Sequence, residues 1–421
     1  MKILSKIETL KTQLRTLENG IRIITKENHS TPIVSFCAFF AGGVRAEKKE
    51  FSGISHFTQR MLLKGTKTKS AEEIARRIEY MGATFTPFTA KDTFGCSMNV
   101  LAKHFDEGLE IFADCILNPA FSAGEVEKER KNILLEIARK KDESFSCCLE
   151  LCEEALFDGH PYGFPVMGKE KSISSIKKGE LVKWHEELYH PSRMVIALVG
   201  DLKRREVEKK IIEKFYSLPK PEKKVKFLPP PPPLKKARIL NETSEKRQVV
   251  FSLGFQAPSV NDKDYFAFDV LTHVLAGMGS RLFIELRDKK GLAYSVSASY
   301  DARADVGVFK SFIGTSVEQK DKAHEAMLAE LEKIRRKKVP ADELERAKKY
   351  MLGLYEISLQ KNQSQACRYA YMELLGGGYE ILERYPLRIK EVTSEEVLEA
   401  ARKYIDTQNF AKAILMPAGI F

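Results

Sequence analysis

No apolar run in this chain approaches the ~18 residues that a membrane-spanning helix needs. One of the longer runs, "MVIALVG" at 194–200, has the length of a buried strand. The opening stretch "MKILSKIETLKTQL" has neither a secretory apolar core nor a small-residue cleavage site. A mitochondrial transit peptide is the sharper reading of that stretch. Glu8 and Glu18 count against it, which leaves the cytoplasm as the expected compartment. Paired C-x2-C spacings are also missing. The seven cysteines are odd in number, and the group Cys147, Cys148 and Cys152 lacks zinc-site spacing, so core thiols in a reducing compartment are expected. The net charge is +11, from 69 basic and 58 acidic residues, yet no basic stripe alternates with aromatics. A nucleic-acid partner is therefore not expected, and neither is a membrane.

What is present is ample core material, 43% hydrophobic with 30% charged residues, in a chain of 421. That length fits about two to four domains. Lys and Glu are both plentiful, and basic and acidic residues are interspersed in stretches such as "AEEIARRIEY" and "ADELERAKKY", which read as solvated helix faces with i,i+4 pairing. Their abundance leans towards a thermophile. Between Ser217 and Arg238 stand seven prolines among lysines, which exclude helix and central strand and predict an extended polyproline II strut.

The blocks on either side of the strut repeat. Each opens with a strand, "PIVSFCAFF" or "QVVFSLGFQAP", followed by a helix starting near Ser52 or at "YFAFDVLTHVLAG". Each continues into a strand pair, then two long helices joined by a proline, and closes with a helix and a strand. Capping pairs mark helix starts at Ser70 with Glu73, Ser122 with Glu125, and Thr393 with Glu396, and Gly82 stops the first of these helices. The pattern predicts an α+β fold. Two similar lobes, each an antiparallel-rich sheet covered by helices, are expected to face each other across a cavity. The expected divisions are an N-terminal lobe at 1–216, a linker at 217–238 and a C-terminal lobe at 239–421.

The stretch "SGISHFTQRML" raises the question of function. Two histidines four apart on a helix can grip one zinc ion, and in the order H-x-x-E-H a glutamate beside them can take a proton from zinc-bound water. Here only His56 is in place. Gln59 stands where the base would be, and an amide accepts no proton at neutral pH. Arg60 stands where the second ligand would be and has no lone pair to give. A guanidinium about 4 Å from Zn²⁺ would repel it by roughly 8 kcal/mol at an effective dielectric near 20. A lone histidine on a helix is more often a core or capped residue than a ligand. Nearby, Glu129 and Glu136 lie seven apart in "EVEKERKNILLEIARKK" and so share a helix face.

Over nearly its whole length the chain resembles the pitrilysin or insulinase-type zinc peptidases, the family of mitochondrial processing peptidase and its bacterial relatives. "GISHFTQRMLLKGTKTKSAEEIARRIEYMGA" resembles the family's G-hydrophobic-A-H-F-L-E-H-M-L-F-K-G-T block. "HPYGFPVMG", "YHPSRMVIALVGD", "GMGSRLFIELRDKKGLAYSVSASY" and "ELLGGGYEILERYPLRI" resemble later blocks. By this resemblance Glu136 falls at the third zinc ligand and Glu129 at the glutamate behind the ligands. His56, Glu129 and Glu136 keep the family pattern, whereas Gln59 and Arg60 break it. The substrate-binding edge strand, "L-N-A-F/Y-T" in the family, here reads "FTPFT", where Pro87 removes a ladder donor.

The second half keeps an Arg and a Tyr, Arg287 and Tyr294, at the family's spacing in "ELRDKKGLAY". In the family such a pair reaches the substrate backbone and the developing oxyanion, and both groups can donate to a negative oxygen. The loop before "SRLF" is only "AGMG", which resembles a compact bacterial-type relative more than the glycine-rich mitochondrial substrate-recognition chain. The resemblance therefore implies a non-catalytic subunit that binds no metal or other cofactor itself. Its Arg287 and Tyr294 would act in trans on an unfolded peptide, beside a homologous partner subunit carrying the intact zinc site. The alternative is a scaffold or peptide-binding protein that has kept the fold and left proteolysis.

Overall fold

The computed structural model describes residues 12–216, 218 and 227–418. The opening stretch up to residue 11 and most of the lysine-rich first half of the proline segment lie outside the described residues. In chain order the strands are β1 (Gln13–Thr16), β2 (Arg22–Glu27), β3 (Ile33–Ala41), β4 (Thr84–Thr89), β5 (Thr93–Leu101) and β6 (Met194–Gly200), then β7 (Arg238–Ser244), β8 (Val249–Ala257), β9 (Ser295–Asp301), β10 (Gly307–Thr315) and β11 (Ala411–Pro417). The helices before the proline segment are α1 (Ile54–Met61), α2 (Ala71–Tyr80), α3 (Phe105–Leu117), α4 (Ala123–Lys140), α5 (Ser144–Phe157), α6 (Glu170–Ser175), α7 (Lys178–Leu188) and α8 (Arg204–Phe215). After it come α9 (Tyr265–Leu275), α10 (Lys320–Arg336), α11 (Ala341–Ser358), α12 (Asn362–Leu375), α13 (Glu380–Glu391) and α14 (Ser394–Tyr404).

The strands form two sheets with one topology. The first runs β1-β2-β6-β3-β5-β4 and the second β7-β11-β8-β10-β9. Without β1 the orders correspond strand for strand, including a single parallel pairing in each, β2 with β6 and β7 with β11. The repeat read from sequence is thus a repeat of topology, and the fold is the expected antiparallel-rich sheet with helices, formed twice.

The helix starts obey local chemistry. Ser70 accepts the Glu73 N–H, and Thr393 and Glu396 form the full reciprocal capping box. Gly82 ends α2 in the left-handed region, at φ 59°.

Alternation along β3 shows how each sheet is covered. Val34, Phe36, Ala38 and Phe40 enter the core beneath α2, α3, α7 and α8. The intervening Ser35, Cys37 and Phe39 are also buried, on the face where α12 packs. In the second sheet Val249, Phe251, Leu253 and Phe255 face α9, α10, α11 and α14. Val250, with Ala411, Ala413 and Leu415, faces α5 through Cys148, Leu151, Cys152 and Ala155. The sheets are thus covered on both faces, one face more than the sequence pattern of strands and helices predicts. The physical reason is legible in "MVIALVG", buried at every residue, as a strand covered on both sides must be.

The covering helices cross over. One compact unit holds the residues up to Leu134, Val166–Phe227 and Ile357–Leu382; the other holds Leu135–Pro165, Leu228–Glu356 and the residues from Glu383 on. A cut at 216 and 239 assigns α5 and α12 to the half they follow in sequence, whereas each packs in the unit built mainly from the other half. Close approach makes this possible: a Cβ on Gly254 of β8 would lie 2.6 Å from the Cys152 sulfur of α5. The described part of the proline segment, 227–237, carries neither helix nor strand. In the first unit Phe227 lies under the guanidinium groups of Arg45 and Arg193, at 4.2 and 5.1 Å. In the second, the Gln256 amide donates to the Pro232 carbonyl at 2.9 Å. Among the described residues no helix is long and apolar enough to cross a membrane.

Candidate functional site

Helix α1 presents the residues in question, and its start is fixed by Gly53 at φ 91°. A Cβ there would lie 2.7 Å from the Met167 carbonyl oxygen and from the Gly168 Cα, so no other residue fits. The helix therefore begins two residues after Ser52, the expected start. The buried Glu47 carboxyl accepts the Gly53 and Ser55 N–H groups at 2.8 and 3.0 Å, occupying two otherwise orphaned donors of the helix N-terminus. Burial pushes that carboxyl up to about 8, against the pull of those two N–H groups.

His56 is half-buried on α1. Gln59 is fully buried; its amide nitrogen donates to the Tyr189 hydroxyl at 2.6 Å, and its carbonyl oxygen accepts from the Cys96 thiol at 3.6 Å. Both ends of the amide are thus engaged in the core. Burial raises the Tyr189 hydroxyl well above its ordinary range, so this partner stays neutral. Arg60 turns to α4, where its Nε donates to Glu129 at 2.5 Å. Lys64, one turn further on, reaches the other Glu129 oxygen at 2.9 Å, and Asn132 donates to that oxygen at 3.2 Å. Burial raises the Glu129 carboxyl, but Lys64 and Arg60 outweigh burial and hold it below its ordinary value. Glu136 lies about two turns along α4 from Glu129 and is half-buried.

Arg287 and Tyr294 lie in the other unit. Arg287 is carried by a π-helix, Phe283–Lys289, where an ordinary helix end is expected from sequence. The wide turn closes with Leu292 N–H donating to the Leu286 carbonyl and Gly291 N–H to that of Arg287. Such turns are rare and occur often at functional sites. The exposed Arg287 guanidinium lies over the Phe283 ring at 4.8 Å. Tyr294 immediately precedes β9 and is anchored by its N–H on the Gly314 carbonyl at 2.9 Å. Its side chain is 68% exposed and lines an open cleft of about 850 Å³ with Asp142, Glu143, Phe145, Lys246 and Arg247.

Comparison with known proteins settles the family. Residues 22–170 match the family model described as insulinase, peptidase family M16, and residues 175–351 match that described as the peptidase M16 inactive domain. A Bacillus subtilis protein named as an uncharacterized zinc protease is 30% identical over 96% of this chain and 98% of its own length. The chain belongs to peptidase family M16. A Mycobacterium tuberculosis relative named in the same way is also 30% identical, over 96% of this M16 chain and 93% of its own length. Among solved structures, a peptidase M16 inactive domain from Pseudomonas fluorescens superposes with TM-score 0.90 at 24% identity, covering 97% of this chain and 98% of that one. A protease from Helicobacter pylori gives 0.89 at 22%, covering 97% and 99%. These two likenesses establish the two-lobed M16 fold.

The zinc ion implied by family M16 does not fit the residues present. Where a second imidazole would stand there is a guanidinium bonded to Glu129, and Lys64 brings a second cation to the same carboxylate. Among the described residues no group of three or more His, Cys, Asp or Glu side chains is placed to hold a metal. The sequence reading missed Lys64, Asn132 and Tyr189. Lys64 was within reach of it only by nearness in sequence, since it lies four residues after Arg60 and just past the end of α1 at Met61. Tyr189 was not, because only the fold brings it to Gln59.

Proposed function

We propose that this M16 chain is a non-catalytic subunit of a two-chain zinc endopeptidase. It supplies Arg287 and Tyr294 to an unfolded peptide bound at a homologous partner that carries the intact zinc site. The observation that carries this reading is the Arg60–Glu129 pair. It puts two unlike charges where a catalytic chain needs a ligand and a carboxylate free to support it. The zinc of the partner would activate water; this chain would bind and orient the peptide. A guanidinium and a phenol, both exposed, are donors suited to a carbonyl oxygen gaining negative charge. Strand β4, the end strand of its sheet, carries Pro87, which removes one donor from any peptide laid along that edge. This favours a role for the first unit in which the peptide is not gripped there.

The test mixes the purified chain with a homologous chain bearing H-x-x-E-H and measures peptide turnover. Turnover is expected in the mixture and not with this chain alone. Tyr294→Phe and Arg287→Ala are each expected to lower it by about 10²–10³, the usual loss for one oxyanion donor, with complex formation unchanged. A double variant that assembles and supports undiminished turnover overturns the reading. A scaffold that has left proteolysis then replaces it, an outcome already favoured by one feature, the stacking of Arg287 on Phe283.

A further inference from the structure

The cleft beside Tyr294 lies at one end of the second sheet. Gln248, Tyr294 and Ser316 line it and flank the same end of three adjacent strands: Val249 of β8 pairs with Thr315 of β10, and Gly314 of β10 pairs with Ser295 of β9. Phe145, in the first turn of α5, lies over that end. Its ring meets that of Phe312 edge-on at 5.9 Å, and a Cβ on Gly314 would lie 2.8 Å from its Cζ. The glycine is therefore what lets the ring rest on the sheet. Phe145 is half-buried and Tyr294 exposed, so the cleft keeps an aromatic surface open to water.

The charges that line the cleft come from two segments and are sorted by sign. Lys246 and Arg247 stand in the turn between β7 and β8, and Asp142 and Glu143 stand just ahead of α5. All four residues are exposed, and among the described residues none of their side chains forms an ion pair. Glu143 precedes the first residue of α5, yet its side chain caps nothing. Lys140, in contrast, is paired with Glu150. Two charges of each sign are thus held in one cleft, inside one compact unit, without neutralising each other. A single exposed, unpaired charge is ordinary. Two of each sign, segregated around a shared aromatic surface, match a ligand whose own charges are ordered.

We propose that this cleft is a peptide subsite of mixed charge. It takes a short extended stretch in which an aromatic or large aliphatic residue has an acidic neighbour on one side and a basic neighbour on the other. The apolar side chain covers Phe145 and Tyr294, the acidic one meets Lys246 and Arg247, and the basic one meets Asp142 and Glu143. The volume, about 850 Å³, is that of a ligand site. This deepens the reading of the preceding subsection and rests on it in taking the ligand to be a peptide. Selectivity comes from charge order, because each pair in so open a cleft stays partly hydrated and contributes up to about fivefold. A doubly acidic or doubly basic peptide gains at one segment and is repelled at the other.

The experiment measures binding of labelled peptides to the purified full chain alone, by fluorescence anisotropy, so that no turnover is involved. The peptides share one unfolded sequence around a central phenylalanine. They differ only in its two neighbours: Glu and Lys in either order, two Glu, two Lys, or two Gln. One of the two mixed orders is expected to bind about tenfold tighter than the doubly acidic and doubly basic peptides. That gap is expected to shrink as salt is raised. Lys246→Glu with Arg247→Glu makes all four charges acidic, and is expected to turn the preference to the doubly basic peptide with the melting temperature unchanged. The proposal is overturned if no peptide binds saturably, if all bind equally, or if the reversed variant keeps the wild-type order of preference. Those outcomes leave the action of Arg287 and Tyr294 in trans to the turnover of the two-chain mixture. Charge preference without such turnover supports the subsite and assigns it to a peptide-binding chain that has left proteolysis.

Discussion

Each compact unit buries one glutamate between an arginine and a lysine, and the two sites differ mainly in their access to water. In the first unit Glu129 is met by Arg60 and Lys64, whose side chains are 34% and 31% exposed. In the second, Glu153 of α5 is met by Arg303 and Lys310, at 2% and 12%. Arg303 also bonds Asp301 and lies against the rings of Phe157 and Tyr162, at 5.7 and 5.1 Å. Each glutamate meets one arginine and one lysine, and the second site adds the carboxylate of Asp301. In the second the pairing ties the crossing helix α5 to the β9–β10 hairpin. In the first it joins α1 to α4. The comparison teaches that a salt bridge is weighed by the water it has lost. An exposed pair is worth up to about 1 kcal/mol, whereas breaking a buried one costs about 3–5 kcal/mol.

The largest effect is therefore expected at Arg303. Arg303→Met removes the charge while keeping much of the volume against Phe157 and Tyr162, and leaves Glu153 buried beside Lys310 alone of these two cations. Denaturant unfolding is expected to show a loss of about 3–5 kcal/mol, with the dependence on denaturant unchanged. A loss under about 1 kcal/mol would mean that water reaches Glu153, and the contrast between the units would disappear.

The matching substitution in the first unit is Arg60→Met. Lys64 and Asn132 still hold Glu129, and the lost guanidinium was partly hydrated, so about 1 kcal/mol is expected by the same measurement. A loss as large as that at Arg303 would make the Arg60–Glu129 pair a structural keystone of the first unit. Arg60 would then have been retained for stability rather than acquired at a disused site.

These two sites also mark how far the sequence could be read. Arg60 was conspicuous because it stands inside a known spacing, and its effect on a metal follows from charge alone. The repeat, the capped helices and the strand pairs were legible because they rest on local periodicity and on Ser, Thr, Gly and Pro at fixed offsets. Arg303 was not legible. Nothing in "YDARADVG" says that this arginine turns inward, because its partner Glu153 lies on α5, a helix that crosses into the other unit. Helix α5 itself carries a buried stripe at Cys148, Leu151, Cys152 and Ala155, spaced as on one helical face. That stripe predicts a buried helix but not which sheet buries it. Gln59 failed in the same way: its identity excluded a base, while its bonds to Tyr189 and Cys96 depend on long-range packing.

The smallest effect separates charge from packing at Glu129 through pH. The folded-state carboxyl is held below its ordinary value by Lys64 and Arg60 in spite of burial. The unfolded carboxyl titrates near 4.3. Above that pH neither state takes up a proton, and the stabilisation from the ion pairs is fully present. As pH falls through about 4.3 the unfolded chain binds a proton that the folded chain does not, so this stabilisation declines and is gone once the folded carboxyl is also protonated. Glu129→Gln keeps the shape and removes the titration. The variant is expected to be less stable than wild type at pH 7, with the gap narrowing steadily below about pH 4.3. Urea unfolding of both proteins across pH 3 to 7 checks this. A gap that stays constant over the whole range would assign the role of Glu129 to hydrogen-bond geometry, and the cations around it would then matter as donors and not as charges.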